Sequence, residues 1–238
     1  MMRAAAVRDR PAFFPGGATL RRTGTSIVRE ALVLVSVLAV LFGGTAASEE
    51  PVAGTVTAVR GTAARKRLGS EKAAPVRIHD PYRVGDVLET GSGSTAQLTL
   101  SDETFLNMAA DSAVRVNQYT FDRTTMRRTA RIRVLKGSVR FVLFRPRSAG
   151  SLFHIETEQA IVLPQMIADI AVEARPGETD VSVLGGSAVV KSASDYIIGQ
   201  LRVNMNQTVS VLPKTPPAFT AEVSPEDRRR LLNRLKVP

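Results

Sequence analysis

The sequence predicts an all-β fold built from short strands. Residues 95–100 (Thr-Ala-Gln-Leu-Thr-Leu) alternate polar and apolar side chains, which is the period of a half-buried strand. Turn residues surround this stretch: a Gly-Asp pair at 85–86, a glycine-serine run at 91–94 and a polar turn at 101–103. Valine-rich runs separated by similar turns continue along the chain, and β-branched side chains pack well in strands.

The composition restricts the chemistry that this chain can perform. Cysteine is absent, and His79 and His154 are the two histidines of the sequence. Disulfides, thiolate metal sites, a cysteine nucleophile and a histidine-rich metal site are therefore excluded. We expect no catalytic residues, no metal and no cofactor.

The charge is strongly positive, at +10 over 238 residues. Residues 1–48 carry six arginines against Asp9 and Glu30, so they account for +4 and leave +6 for the remainder. An excess of this size indicates affinity for an acidic surface, such as lipid headgroups, anionic cell-wall polymer or nucleic acid. A soluble protein with a modestly positive surface is the alternative.

The amino terminus has the features of an export signal. An arginine-rich leader precedes an apolar run at residues 31–42 and a small-residue exit at 43–48. The run is shorter than the ~20 residues that span a bilayer. Residues 1–47 are therefore predicted to be a signal peptide helix cleaved after Ala47, with an uncleaved signal anchor as the alternative. Either predicts a periplasmic or other envelope location.

A β domain is predicted over residues 52–212. Residues 105–108 and 114–116 are expected to be short strands, and residues 120–129 a hairpin loop. Residues 130–144 are expected to form a pair of strands that turn at Lys136-Gly137. The Pro-Gly pair within residues 175–178 predicts a further turn, because proline presets φ and glycine accepts positive φ.

A weak internal repeat bears on the architecture. Residues 134–139 (Val-Leu-Lys-Gly-Ser-Val) parallel residues 183–189 (Val-Leu-Gly-Gly-Ser-Ala-Val). Recurring strand-glycine-strand units favour a β-roll or β-solenoid, in which stacked turns bury a shared core. A β-sandwich gives similar strand spacing and is the second possibility.

The carboxyl terminus, residues 213–238, is predicted to be a linker followed by a short basic helix. Ser224 is suited to the N-cap, Pro225 to the first helical position, and two acidic residues follow in the first turn. We expect this helix to dock on the β domain, and contact with an anionic surface is the alternative.

Three segments carry a resemblance to a known family. Residues 82–104 resemble the opening motif of FecR-type domains, which has a Gly-Asp turn, a Thr-Gly-x-Gly-Ser turn and an Ala-x-Leu-x-Leu strand in this order. Residues 135–139 and 153–160 are similar to later elements of the same family. Glu103 stands where the family usually has the glycine of an Asp-Gly-Ser turn. The resemblance covers about residues 55–190.

The resemblance implies a mostly β envelope domain used for sensing or scaffolding. The best-studied members of the family carry signals from an outer-membrane receptor to a sigma factor, through a membrane helix and a cytoplasmic tail. For this chain the implied role is a non-catalytic module for sensing, binding or scaffolding.

Two basic loops are the predicted binding surface, and an envelope protein or an anionic cell-wall polymer is the predicted partner. The candidate residues are Arg65, Lys66, Arg67, Arg127, Arg128, Arg131 and Arg133. Nucleic acid is not expected as a partner, and membrane contact is expected only through an uncleaved signal segment. The rival hypothesis is a periplasmic enzyme that acts on cell-wall polymer through Asp86 and Asp102.

Overall fold

The computed structural model describes residues 50–146, 148–165 and 167–237, and the predicted signal segment lies outside them. The all-β prediction is confirmed: these residues form seventeen strands and one helix, α1, at Pro225–Arg234. The strands are β1 Val52–Arg60, β2 Ala63–Lys66, β3 Ala73–Pro75, β4 Pro81–Arg83, β5 Val87–Thr90, β6 Thr95–Leu100, β7 Phe105–Met108, β8 Ala113–Phe121, β9 Arg128–Leu143, β10 Leu152–Glu156, β11 Ala160–Pro164, β12 Ala168–Arg175, β13 Glu178–Gly185, β14 Ser187–Ser192, β15 Gln200–Asn204, β16 Gln207–Val211 and β17 Ala218–Glu222.

The strands form two hydrogen-bonded ladders that share β9. The first ladder has the order β4-β1-β6-β7-β9-β12-β13-β16-β17. The second has the order β3-β2-β5-β8-β9-β10-β11-β14-β15. After β9 the chain places two strands in the second ladder, two in the first, and then repeats this alternation.

The sixteen-residue strand β9 replaces the strand pair expected at residues 130–144. Its first half pairs with β8 and β10, and its second half pairs with β7 and β12. Gly137 lies at the junction with a φ of 79°. The glycine therefore redirects a continuous strand from one ladder to the other and does not close a hairpin.

Both ladders contribute to one hydrophobic core. Ala96, Leu98 and Leu100 are buried, as the alternation along β6 predicts. Phe141 from the first ladder and Ile132 and Ile155 from the second belong to the same cluster. Inward-facing Val, Leu, Ile and Ala fill it, so the outward-facing positions of each strand remain available for function.

The carboxyl-terminal region holds one strand that the sequence did not predict. Residues 213–238 were expected to be a linker and a helix. They also contain strand β17, which pairs with β16. The helix begins as predicted, with the Ser224 hydroxyl accepting a hydrogen bond from the Asp227 N–H at 3.1 Å. Leu235 is buried against Ala171 and Leu184 of the first ladder, so the helix docks on the β domain.

Candidate functional site

The outward side of the second ladder carries a regular array of cations. Along β8, β9 and β14, buried residues such as Val114, Ile132 and Val190 alternate with residues that face outward. We call a group of five outward-facing cations on β8, β9, β14 and β15 the basic face. The basic face consists of Arg115, Arg131, Arg133, Lys191 and Arg202.

Strand register places these side chains in one continuous surface. Arg115 lies opposite Arg133, Arg133 opposite Glu156, Glu156 opposite Ile161, and Ile161 opposite Lys191. Neighbouring strands are ~4.8 Å apart, so the row from Arg115 to Lys191 is about 19 Å long.

The row contains an electrostatically unfavourable pair. Arg115 and Arg133 lie directly opposite each other on adjacent antiparallel strands, and like charges in this arrangement are destabilising. The one carboxylate of the row, Glu156, accepts a hydrogen bond from Arg131 at 2.8 Å. The row therefore holds three cations and one acid, and a bound anion would relieve the repulsion between Arg115 and Arg133.

Arg128, one of the predicted binding residues, lies in the interior. Its side chain is 4% exposed, and its Nη1 is 2.7 Å from Asp102 Oδ2. Its guanidinium also stacks on Phe153, at 5.1 Å from the ring centroid. Arg128 begins β9 on the core-facing side of the strand, so it is a structural residue and does not belong to the basic face.

The carboxylate of Asp102 is fully engaged around this pair. Tyr119 donates a hydrogen bond to Asp102 Oδ1 at 3.1 Å, and the Thr104 hydroxyl donates to Oδ2 at 2.9 Å. Burial, together with the negative charge of Asp102, raises the pKa of Tyr119 well above its ordinary value of 10. The network fixes the turn between β6 and β7 against the start of β9.

Arg65, a second predicted binding residue, is also largely inside. Its side chain is 10% exposed, and its Nε lies 3.8 Å from Asp86 Oδ2. It also donates a hydrogen bond to the Pro81 carbonyl. Asp86 accepts a further hydrogen bond from the Arg83 N–H, so both members of this pair stabilise the turn before β5.

The remaining predicted cations fall into two groups. Lys66 pairs with Glu71 at 3.0 Å, while Arg67 and Arg127 are exposed loop residues with no ion pair within the described ranges. Arg131 and Arg133 are members of the basic face. Lys66 lies next to them by register, because it is opposite Val87 and Val87 is opposite Arg115, so the structure brings three of the seven predicted residues together on one surface.

Sequence reasoning missed Arg115, Lys191 and Arg202. Each is a single cation within its own strand, so none of them contributes to a charge cluster along the chain. The signal that could have identified them is alternation, because each is adjacent to a buried valine: Val114, Val190 and Val203. A search for cations at outward-facing strand positions would have found the face.

The described residues contain neither a candidate metal site nor a candidate membrane-spanning helix. No three His, Asp or Glu side chains converge there in a way that could hold a metal ion. No helix among those residues is long and apolar enough to span a membrane.

Comparison with known proteins identifies a domain family for part of the chain. Residues 86–189 match the model of the FecR protein family. Two crystal structures of a candidate anti-sigma factor from Parabacteroides distasonis are similar, at 21% and 22% identity and a TM-score of 0.46. The match covers 57% of this chain and 59% of that protein. No curated protein matches the chain. By the family model, residues 86–189 are a FecR-type domain.

Proposed function

We propose that this chain is an exported, non-enzymatic module of the bacterial envelope that binds an anionic polymer through its basic face. The FecR-type domain supports a role in sensing or scaffolding. The observation that carries the proposal is the row of cations across β8, β9 and β14, with Arg115 and Arg133 directly opposed. The nature of the ligand follows from the shape of that row.

An extended polyanion fits the basic face better than a compact anion does. The cations are spread over the outer surface of six adjacent strands, from β8 to β15, and do not converge on one point. Apolar side chains of intermediate exposure, Ile161, Leu163 and Val189, lie between them. A polymer with repeated charges could contact several cations at once, and apolar parts of its repeat could contact the residues between.

The architecture that we infer also suits such a ligand. Pairs of strands alternate between the two ladders after β9, and this alternation supports the β-roll or solenoid arrangement over the β-sandwich. Stacked turns of this kind produce long, flat faces. Extended ligands are commonly held on such surfaces.

The rival hypothesis required Asp86 and Asp102 to act on a substrate. Asp86 is 3% exposed and Asp102 is 1% exposed, and each is paired with an arginine. A pair of catalytic carboxylates must face the scissile bond from an open cleft. Burial of both residues favours the binding module.

Charge reversal on the basic face tests the proposal. The full chain would be purified from its host envelope, and its binding to inorganic polyphosphate and to host cell-wall fragments would be measured. We expect Arg115→Glu/Arg133→Glu to weaken binding about tenfold, because both the local field and the direct contacts are lost.

Arg67→Glu/Arg127→Glu is the matched control, since it changes the net charge equally at exposed loop positions. Equal weakening by both variants would show that only total charge matters and would contradict a binding face. Unchanged binding in both would also contradict it.

A further inference from the structure

The two ends of the ladders differ in how their edges are protected. The ladders begin at β3 and β4, which have three residues each and contain Pro75 and Pro81. Short strands and proline are common protections against unwanted strand pairing. The ladders end at β15 and β17, which have five residues each and no proline. The second end is therefore open to pairing.

The first ladder extends one strand further than the second at this open end. A short turn at Met205-Asn206 joins β15 to β16, so these two terminal regions lie across the core from each other. Beyond β16 the first ladder continues with β17, while no described strand of the second ladder pairs on the outer side of β15. The position beside β15 and opposite β17 is therefore a space that no described strand fills.

Phe219 marks this space. It lies opposite Val209 in the β16–β17 pair, and Val209 is fully buried in the core. Directly opposed residues share one face of a sheet, so Phe219 points to the core side of β17. It is nevertheless 52% exposed, because the described residues leave it uncovered there.

Large apolar side chains are also concentrated around this end. Tyr196 is 94% exposed and Ile198 is 96% exposed, both in the loop that leads into β15. Met205, in the turn after β15, and Leu212, after β16, are about half exposed. Single exposed apolar residues are ordinary, but these four all flank β15 or β16 along the chain.

We propose that the occupant of this space is β17 of a second copy of the chain. In a twofold dimer, β17 of each copy would lie beside β15 of the other, so each projecting strand would fill the other's space. The first ladder of one copy would then continue into the second ladder of its partner. The two Phe219 side chains would meet across the shared core.

The projecting strand β17 of one copy matches the space beside β15 of another copy. A second copy has both features, so the fit works in both directions. Each copy projects one strand and lacks one strand at the same end, and β15 and β17 have equal lengths. A twofold interface pairs the same patches in both directions and closes on itself. It leaves no edge free for further addition, whereas the open end of a single copy does.

Cysteine crosslinking tests this arrangement, because the natural chain has no cysteine. Facing sheets lie about 10 Å apart, a distance that a short bis-maleimide crosslinker can bridge between two Phe219→Cys copies. We expect a covalent dimer with the full-length Phe219→Cys protein in its host envelope. Phe144→Cys is the matched control, because Phe144 is 49% exposed on the outer side of the first ladder, and it should remain monomeric.

Sedimentation equilibrium of the purified chain provides the second measurement. The unmodified protein should be a dimer at micromolar concentration, and Phe219→Glu should be a folded monomer, with its strand content checked by circular dichroism. A monomeric unmodified protein, or a Phe219→Glu protein that remains dimeric, would overturn the proposal. Equal crosslinking of the two cysteine variants, or a different protein bound at β15, would overturn it too.

Discussion

At the level of single residues, the buried pair of Arg128 and Asp102 is expected to matter more for stability than any surface charge. Removing one member of a buried ion pair leaves the other uncompensated, which costs about 3–5 kcal/mol. Arg128→Met should therefore lower the free energy of unfolding by that amount in a denaturant titration. Arg127→Met, at the neighbouring exposed position, should change it by less than about 0.5 kcal/mol.

A small effect of Arg128→Met would mean that Asp102 is accommodated by Tyr119 and Thr104 alone. The comparison is direct because the two arginines are adjacent in sequence. They differ in burial, and only Arg128 contacts a carboxylate.

The two buried tyrosines predict a loss of stability at alkaline pH. Burial raises the pKa of Tyr82 and of Tyr119 above the ordinary value of 10, with further contributions from Asp86 and Asp102 respectively. Above about pH 10 the unfolded chain releases these protons first, so the folded state binds more protons and stability falls as pH rises. The stabilisation that the two protonated tyrosines give to the folded state is fully present below pH 10.

Each tyrosine should add about 1 kcal/mol per pH unit to this slope between pH 10 and 11, where the unfolded tyrosine is only partly deprotonated. Tyr82→Phe should reduce the slope of unfolding free energy against pH between pH 10 and 11. Tyr196→Phe, at an almost fully exposed position, is the control and should leave the slope as it is. An equal slope in all three proteins would contradict the assignment.

At the level of elements, Gly137 is the residue on which the double role of β9 depends. A Cβ at this position would lie 2.6 Å from Ser112 Cα and 2.9 Å from the Asp111 carbonyl oxygen, and φ is positive. Gly137→Ala combines steric overlap with backbone strain, so we expect a loss of at least about 3 kcal/mol in unfolding free energy.

Gly177→Ala separates the two contributions. Gly177 has a similar φ of 74°, but nothing lies within 4 Å of a Cβ placed there. Backbone strain alone should then cost about 1–2 kcal/mol. Equal losses for the two variants, measured by the same denaturant titration, would show that the crossing point of β9 is not sterically tight.

The β class of the fold could be predicted because alternation and turn residues are local properties. The Pro176-Gly177 turn and the Ser224 cap were found for the same reason. Lys136-Gly137 was assigned to a hairpin because a glycine with positive φ has the same local signature in a turn and in a bent strand. Only long-range pairing with β7 and β12 distinguishes the two.

The candidate site was less predictable than the fold. Charge clusters along the chain drew attention to Arg65 and Arg128, whose partners Asp86 and Asp102 are distant in sequence. Conversely, Arg115 and Lys191 are separated by 76 residues in the sequence. Only strand register makes them members of the same row. Glu103 is a similar case, because its backbone conformation could not be predicted from its residue type. Its φ of 67° is one that glycine adopts readily, which explains why the family usually has glycine at this position.

At the level of the whole molecule, export is the premise of the proposed role. If residues 1–47 act as a signal peptide, the mature protein in the envelope fraction should begin at Ser48. Mass spectrometry of its terminal peptide would detect this end. A chain that keeps residues 31–42 in the membrane fraction would support the signal anchor, and a cytoplasmic chain would contradict export.

The central claim is that the outer face of the second ladder contacts an envelope polyanion in the cell. The most direct measurement places a photo-crosslinking amino acid at Ile161, which lies between Glu156 and Lys191 in the row, and analyses the adducts from living cells by mass spectrometry. A crosslinker at Thr99, on the outer side of the first ladder, is the control. The proposal predicts polymer-derived adducts at Ile161 and none at Thr99. Adducts at both positions, at neither, or only with a protein at Ile161 would contradict it.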